Sequence, residues 1–156
     1  MPEKAFSNKV RVRVNGLLVE NRKLLLVKFR HPTREGSIWM PPGGGVDFGE
    51  PMEDALQREF IEETGIEVNV DGLRYVHEFI EPPLHALEFY YDCRKTGGAL
   101  RLGSDPELSK DNQLLEDVRF VPLAGLAELP VIPEHIQRHF EEEFSKGKCI
   151  PKVIRS

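Results

Sequence analysis

Seven carboxylates stand within seventeen residues of this chain, accompanied by a single basic residue, Arg58. They are Asp47, Glu50, Glu53, Asp54, Glu59, Glu62 and Glu63. This segment carries a charge of −6, whereas the whole chain of 156 residues carries −5. Hard divalent cations such as Mg²⁺ and Mn²⁺ prefer carboxylate oxygens. The cluster therefore predicts a metal site, and the alternative is an acidic helix face exposed to solvent.

Three of these carboxylates fall on one side of a predicted helix. The residues from Pro51 to Thr64 have a helical pattern, and Gly65 suits the C-terminal stop. At about 100° per residue, Glu59, Glu62 and Glu63 share an arc with the apolar stripe. There the negative end of the helix dipole disfavours each of them by a few tenths to ~1 kcal/mol, and they repel one another. A bound cation would offset this cost, which favours the metal site over the exposed face.

Three consecutive glycines, Gly43 to Gly45, precede this helix. Glycine allows the backbone to approach a ligand closely, so that its carbonyl or N–H groups can be directed at an ion or a phosphate. A glycine run alone is more typical of a turn. Its position between Trp39 and the acidic helix favours a role in the same site.

The pattern of these residues resembles the signature of the Nudix hydrolases. That signature is Gly, five residues, Glu, seven residues, Arg-Glu, an apolar residue, any residue, Glu-Glu, any residue, Gly and an apolar residue. In this chain it is occupied by Gly44, Glu50, Arg58, Glu59, Phe60, Glu62, Glu63, Gly65 and Ile66. Phe60 stands where the family more often has an aliphatic residue, and it remains apolar. The frequent lead-in Trp-x-x-Pro-Gly-Gly is also present, from Trp39 to Gly44.

The resemblance implies an α+β fold, an α/β/α sandwich in which a mixed β-sheet lies between helices. We expect one such domain over residues 1–156. The resemblance further implies hydrolysis of a pyrophosphate bond in a nucleoside diphosphate linked to another group. The expected cofactor is Mg²⁺, with Mn²⁺ as the alternative, because both ions neutralise phosphate oxygens and lower the pKa of bound water.

The family's roles carry over to this chain by position. Glu62 and Glu63 become the principal metal ligands, together with the main-chain carbonyl of Gly43. Glu59 becomes a metal ligand or the general base for the attacking water. The remaining positions support these residues: Arg58 orients a glutamate, Glu50 braces the loop or binds a metal through water, and Gly44 and Gly65 shape the turns.

A further carboxylate is expected from a loop outside the signature. Residues 95–115 are polar and irregular, and the candidates in the segment 105–117 are Glu107, Asp111 and Glu116. Glu116 is equally well explained as a residue at the edge of a strand. The identity of this outside ligand is therefore left open between the three.

The substrate is suggested by residues outside the signature. Pro82 stands sixteen residues after Ile66, which resembles a marker of the ADP-ribose pyrophosphatases. ADP-ribose or a related nucleotide is therefore our first prediction, and a nucleoside triphosphate is the alternative. A third hypothesis is a non-catalytic module that binds a nucleotide or a protein. Phe29, Arg30 and Arg34 are candidates for contact with a base or a phosphate, although both arginines are equally consistent with solvent-exposed charges.

The elements that must position the acidic helix are mostly strands. Lys9–Glu20 and Lys23–Arg30 are predicted to form a hairpin, with Arg11 and Arg13 on its solvent face. Further strands are predicted at 66–70, 73–80 and 84–93, and a last one at 118–122. A closing helix is predicted over 133–146, because Ile136, Phe140 and Phe144 are spaced four apart; His135 and His139 are expected on its solvent side.

Composition excludes several other classes of protein. Hydrophobic residues make up 40% and charged residues 30%, which suits neither a disordered chain nor a membrane-spanning one. The start lacks the apolar segment of a signal peptide, and Cys93 and Cys149 match no metal or redox spacing. We therefore expect a cytoplasmic protein. Its acidic balance argues against a nucleic-acid polymer as partner; the expected partner is a small nucleotide, and a homodimer is left open.

Overall fold

The computed structural model describes residues 7–30, 35–104, 114–148 and 150–155. In chain order, the elements in these ranges are β1 (Val10–Glu20), β2 (Lys23–Arg30), β3 (Ser37–Met40), β4 (Gly43–Gly45), α1 (Met52–Thr64), β5 (Ile66–Glu81), β6 (Leu84–Gly98), β7 (Leu115–Pro122), a 3-10 helix (Leu123–Glu128), α2 (Glu134–Ser145) and β8 (Lys152–Arg155). None of the helices in the described ranges has the length and apolar character needed to cross a membrane.

The strands form one mixed sheet. Its order is β3-β2-β1-β6-β5-β8, with β4 paired to β1 and β7 paired to β2. The hairpin of β1 and β2 is antiparallel, as predicted, whereas β1 with β6 and β5 with β8 are parallel pairs. The predicted α+β fold with a mixed sheet is therefore confirmed.

An apolar core lies on each face of the sheet. On one face α1 buries Ala55, Leu56 and Phe60 completely against β1 and its neighbours. On the other face α2 buries Ile136 and Phe140. Truncating a side chain as large and buried as Phe60 to alanine typically costs ~3–5 kcal/mol. Packing on the sheet, rather than helix propensity, therefore fixes the orientation of α1.

The sheet departs from the predicted strand pattern at several places. The strands β3 and β4 were not predicted, and β6 continues to Gly98 beyond the predicted range 84–93. Residues 66–70 and 73–80, predicted as two strands, form the single strand β5, because two bulges near Gly72 keep it paired with β6. Residues 118–122 form a strand as predicted, within β7 (Leu115–Pro122), but the prediction that this is the last strand was wrong. Lys152–Arg155 adds β8 at the edge of the sheet, and its four residues become a strand only by pairing with β5.

Candidate active site

The helix α1 has well-defined ends. Pro51 occupies its N-cap, and Glu53 and Asp54 lie in the first turn, where the helix dipole favours negative charge. At the other end Gly65 adopts a left-handed conformation with φ of 72°, and its N–H donates to the Ile61 carbonyl at 3.0 Å. The predicted helix and its glycine stop are confirmed.

The chain returns to this helix end from β6. The N–H of Gly103 donates to the Glu63 carbonyl at 2.9 Å, and the N–H of Arg101 donates to the Thr64 carbonyl at 2.9 Å. A Cβ atom on Gly103 would lie 1.7 Å from the Glu62 carbonyl oxygen, so only glycine allows this approach. The last turn of α1, which carries Glu62 and Glu63, is therefore held from outside the helix as well as by its own hydrogen bonds.

The register of the glycine strand β4 determines where its main-chain groups point. Gly43, Gly44 and Gly45 lie opposite Asn15, Val14 and Arg13 of β1. Hydrogen bonds of this antiparallel ladder flank the strand, from the N–H of Gly16 to Pro42 and from the N–H of Val46 to Val12. Since such bonds alternate along an antiparallel pair, the main-chain groups of residues 43 and 45 point away from β1.

These outward groups meet the functional face of α1. The N–H of Gly43 donates to the carboxylate of Glu63 at 3.2 Å, and the carbonyl of Gly45 accepts from Arg58 at 3.4 Å. Between them, a Cβ atom on Gly44 would lie 2.3 Å from Oε1 of Glu59. Side chains on these glycines would occupy the space next to β4. Their absence therefore lets Glu59 and Glu63 lie directly against the main chain of this strand.

Arg58 lies at the centre of the acidic cluster. Its guanidinium donates to both oxygens of Glu50, at 2.9 and 3.1 Å, and to Glu59 at 3.0 Å. Glu62 lies 3.5 Å and Asp47 lies 3.8 Å from its nitrogens. The arginine thus fixes the relative positions of the surrounding carboxylates and offsets part of their mutual repulsion.

The electrostatic environments of Glu59 and Glu50 differ. Burial raises the pKa of Glu59 to about 7, although Arg58 acts in the opposite direction. The hydrogen bond from Arg58 holds the pKa of Glu50 below its usual value. At neutral pH Glu50 is therefore a fixed anion, whereas Glu59 is poised between its two protonation states.

The donor set suits a hard divalent ion. Glu59, Glu62 and Glu63 offer carboxylate oxygens, and Gly43 offers a main-chain carbonyl directed away from β1. Within the described ranges, no group of three or more aspartate, glutamate, histidine or cysteine side chains is already arranged to hold a metal ion. Two of these carboxylates, Glu59 and Glu62, lie 3.0 and 3.5 Å from a nitrogen of Arg58.

The other sequence candidates either have their own contacts in the structure or fall outside the described ranges. Among the described residues, Glu116 contacts Lys28, Arg30 and Ser37, consistent with a residue at a strand edge. Phe29 is half-buried and Arg30 is exposed at the end of β2. The remaining candidates, Arg34, Glu107 and Asp111, fall outside the described residues. Pro82 lies in the exposed turn between β5 and β6.

Two arginines that the sequence placed on a solvent face are partly enclosed. Arg13 pairs with Glu88 at 3.3 Å, and its side chain retains 22% of its exposure. Arg11 approaches β4, since a Cβ atom on Gly45 would lie 3.4 Å from its Nη2. The prediction of a solvated strand face was wrong here, because β6 and β4 pack on both sides of this end of β1.

The histidines of α2 are only partly solvent-exposed. His139 is exposed, as predicted, but His135 is half-buried and lies 3.1 Å from a carboxylate oxygen of Glu143. Both line a cavity of about 310 Å³ between α2, β5 and β8, together with His77. His77 is buried and its Nδ1 lies 2.7 Å from Glu88. The sequence spacing had indicated neither the cavity nor the contact of His77 with Glu88, because both join separate elements.

The chain is similar in sequence to a family model and to curated proteins. The model of the NUDIX domain matches residues 9–143. An ADP-ribose pyrophosphatase of Methanocaldococcus jannaschii is 33% identical over 96 residues, which are 60% of this chain and 56% of that protein. Across the first three curated relatives, the matched stretch covers between 30% and 58% of their length.

Solved structures share the fold. A MutT NUDIX hydrolase from Burkholderia pseudomallei is 28% identical with a TM-score of 0.63, over 75% of this chain and 86% of that one. The E. coli ORF135 protein superposes with a TM-score of 0.72 at 18% identity, over 94% of this chain and 98% of that one. At 18% identity, the similarity to the E. coli ORF135 protein shows a shared fold and nothing more.

Proposed function

The chain belongs to the NUDIX domain family, and on that premise we propose that it hydrolyses a pyrophosphate bond in a nucleoside diphosphate linked to another moiety. The observation that carries this proposal is the arrangement around Arg58. A single guanidinium holds Glu50 and Glu59 and lies near Glu62, opposite a glycine strand that presents its main chain to the same face. Every acidic position of the signature segment (44–66) is retained.

We propose Mg²⁺, or alternatively Mn²⁺, as the cofactor, held by Glu59, Glu62 and Glu63 with the carbonyl of Gly43. Such an ion neutralises charge on phosphate oxygens and lowers the pKa of water. The chain's own contribution is to position the reacting groups. Arg58 orients the carboxylates, and Glu59, in its alternative role as general base instead of ligand, accepts a proton from the attacking water.

The favoured substrate is ADP-ribose or a related nucleotide. Two observations support it: the archaeal relative is described as an ADP-ribose pyrophosphatase, and Pro82 stands at the position that resembles the marker of that group. A nucleoside triphosphate is the second candidate, supported by a Bacillus subtilis relative, described as a putative 8-oxo-dGTP diphosphatase, that is 45% identical over 49 residues. In either case Phe29 and Arg30 remain candidates for substrate contact, and the partner is a small nucleotide.

The proposal is tested by product analysis with purified protein and Mg²⁺. The panel contains ADP-ribose, nucleotide sugars, dinucleoside polyphosphates and nucleoside triphosphates. We expect turnover of at least one compound, its loss on adding a chelator, and a large loss in the Glu62→Gln variant. The matched control is Glu142→Gln, since Glu142 is exposed on α2 and pairs only with Lys146 among the described residues.

The third hypothesis, a non-catalytic binding module, gives a different result in the same experiment. A module would bind nucleotide, seen as a shift in thermal unfolding, without forming product. Turnover that is unchanged by Glu62→Gln would also contradict our assignment, because that substitution removes one of the proposed metal ligands.

A further inference from the structure

Two fully buried polar side chains lie on β1, the strand that pairs with the glycine strand, and on its neighbour β6. Asn15 of β1 and Tyr90 of β6 are both 0% exposed. Within the described residues, neither the amide nitrogen nor the amide oxygen of Asn15 has a hydrogen-bond partner, and neither does the hydroxyl of Tyr90. Buried polar groups in proteins are nearly always hydrogen-bonded, so we expect these two side chains to have a hydrogen-bond partner that is not part of the chain.

The two side chains occupy one place in the sheet. Asn15 and Tyr90 are directly opposite one another on β1 and β6. Both side chains belong to the face of the sheet that α2 covers. Tyr90 is part of the core on that face, and so is Leu17, which shares a strand face with Asn15 because it is two residues further along β1. Opposite residues on paired strands have Cβ atoms about 5 Å apart, which is close enough for one small molecule to contact both side chains.

Asn15 also contacts the glycine strand. It lies opposite Gly43 in the pairing of β1 with β4. A Cβ atom on Gly43 would lie 2.0 Å from the carbonyl oxygen of Val14 and 2.5 Å from Oδ1 of Asn15, so the Asn15 amide lies close against Gly43. From the other side, the N–H of Gly43 holds the carboxylate of Glu63. The main chain at Gly43 is therefore fixed between a buried amide and a proposed metal ligand.

We propose that Asn15 and Tyr90 bind an internal water molecule, and that Asn15 so anchored is a positioning residue for Gly43. The chemistry of the pair suits water: the amide offers an acceptor and two donors, the phenol offers a donor and an acceptor, and an internal water needs about three such partners. The water would hold the amide in one orientation. The positioning role rests on the proposed function, whereas the hydration site does not.

The hydration site is tested by crystal structures of the native protein and of Tyr90→Phe at a resolution that shows ordered water. We expect one water within hydrogen-bond distance of the Asn15 amide and the Tyr90 hydroxyl in the native protein, and its loss in the variant. A direct hydrogen bond between the two side chains, or retention of the water in Tyr90→Phe, would overturn the proposal.

The positioning role is tested by Mn²⁺ titration calorimetry in the absence of substrate. Substituting residues that orient metal ligands typically weakens metal binding 10–100-fold. We expect Asn15→Leu to raise the Kd for Mn²⁺ about tenfold and Tyr90→Phe to raise it severalfold. The control is Asn69→Leu, because Asn69 is exposed on β5. Unchanged affinity in both test variants would overturn the role of Asn15.

The two tests separate this inference from the proposed function. If the native protein binds no Mn²⁺, the proposed metal site is wrong. The crystal structures still show whether Asn15 and Tyr90 bind a water molecule. If Asn15→Leu does not fold, Tyr90→Phe decides alone, since it removes only a hydroxyl and keeps the buried ring.

Discussion

The guanidinium of Arg58 holds the carboxylate of Glu50 through two parallel hydrogen bonds, from Nε at 2.9 Å and from Nη2 at 3.1 Å. The loop before α1 and the middle of that helix are thereby locked together. The third nitrogen remains available for Glu59, at 3.0 Å. Only a planar group with this fork of donors can bind both carboxylates at once.

We therefore predict that Arg58→Lys lowers kcat by roughly tenfold or more, because a lysine cannot reproduce the bidentate contact. Steady-state kinetics on the best substrate of the panel measure it. Arg94→Lys is the control, since Arg94 makes a comparable paired contact with Asp71 on an exposed part of the sheet. An equal loss in the two variants would argue against a special role for Arg58.

Gly44→Ala is predicted to displace Glu59. The added Cβ would lie 2.3 Å from its carboxylate oxygen, and relieving such overpacking typically costs ~1–3 kcal/mol. We expect kcat to fall at least about tenfold, in keeping with the sensitivity of such sites to small displacements. Gly72→Ala provides the comparison, because no atom lies within 4 Å of the corresponding position. Native activity in Gly44→Ala would show that Glu59 can move without consequence.

The pH dependence of stability in the metal-free protein should report on Glu59. Burial raises its pKa from 4.5 to about 7, so the folded state binds this proton more tightly than the unfolded state does. Its contribution to stability is full below about pH 4.5 and is lost as the pH rises through 7. At pH 8 the penalty is on the order of 3 kcal/mol.

Glu59→Gln removes that dependence. We expect the variant to gain stability relative to the native protein as the pH rises from 4.5 to 8, measured by denaturant unfolding with a chelator present. Glu53→Gln, on an exposed position of the same helix, controls for the loss of a charge. A stability difference that stays constant across this range would contradict the raised pKa.

Glu143 gives the opposite dependence. Burial acts to raise its pKa, but hydrogen bonds from Tyr75, Lys152 and His135 hold it at about 2. This carboxylate therefore stabilises the fold above about pH 4.5, and the stabilisation is lost as the pH falls towards 2. We expect Glu143→Gln to lower the free energy of unfolding at pH 7 by about 1–2 kcal/mol, because solvent screens part of the interaction, and by little near pH 2.

The measurement is chemical unfolding at both pH values. Glu142→Gln is the neighbouring control, because Glu142 is exposed and pairs with Lys146 on the same helix. A loss of similar size in both variants would show that helix charge, rather than the link from α2 to β5 and β8, is responsible.

Local patterns predicted much of the fold correctly. The helix from Met52 to Thr64 and the hairpin of β1 and β2 follow from apolar spacing and glycine positions alone, which act over a few neighbouring residues. The strand β8 was missed because Lys152–Arg155 has no distinctive pattern and forms a strand only against β5. The bulges of β5 were missed for the same reason, since a bulge is defined by its partner strand.

The sequence by itself determined the chemistry of the acidic cluster: which carboxylates share a helix face, and that glycines precede them. The tertiary structure alone decided how these parts meet. The register of β4 on β1 turns Gly43 towards Glu63, places Gly44 against Glu59, and buries Asn15 behind both. Spacing along a chain fixes which side of one element a residue occupies, but contacts between elements depend on register, and the packing of the whole sheet sets that register.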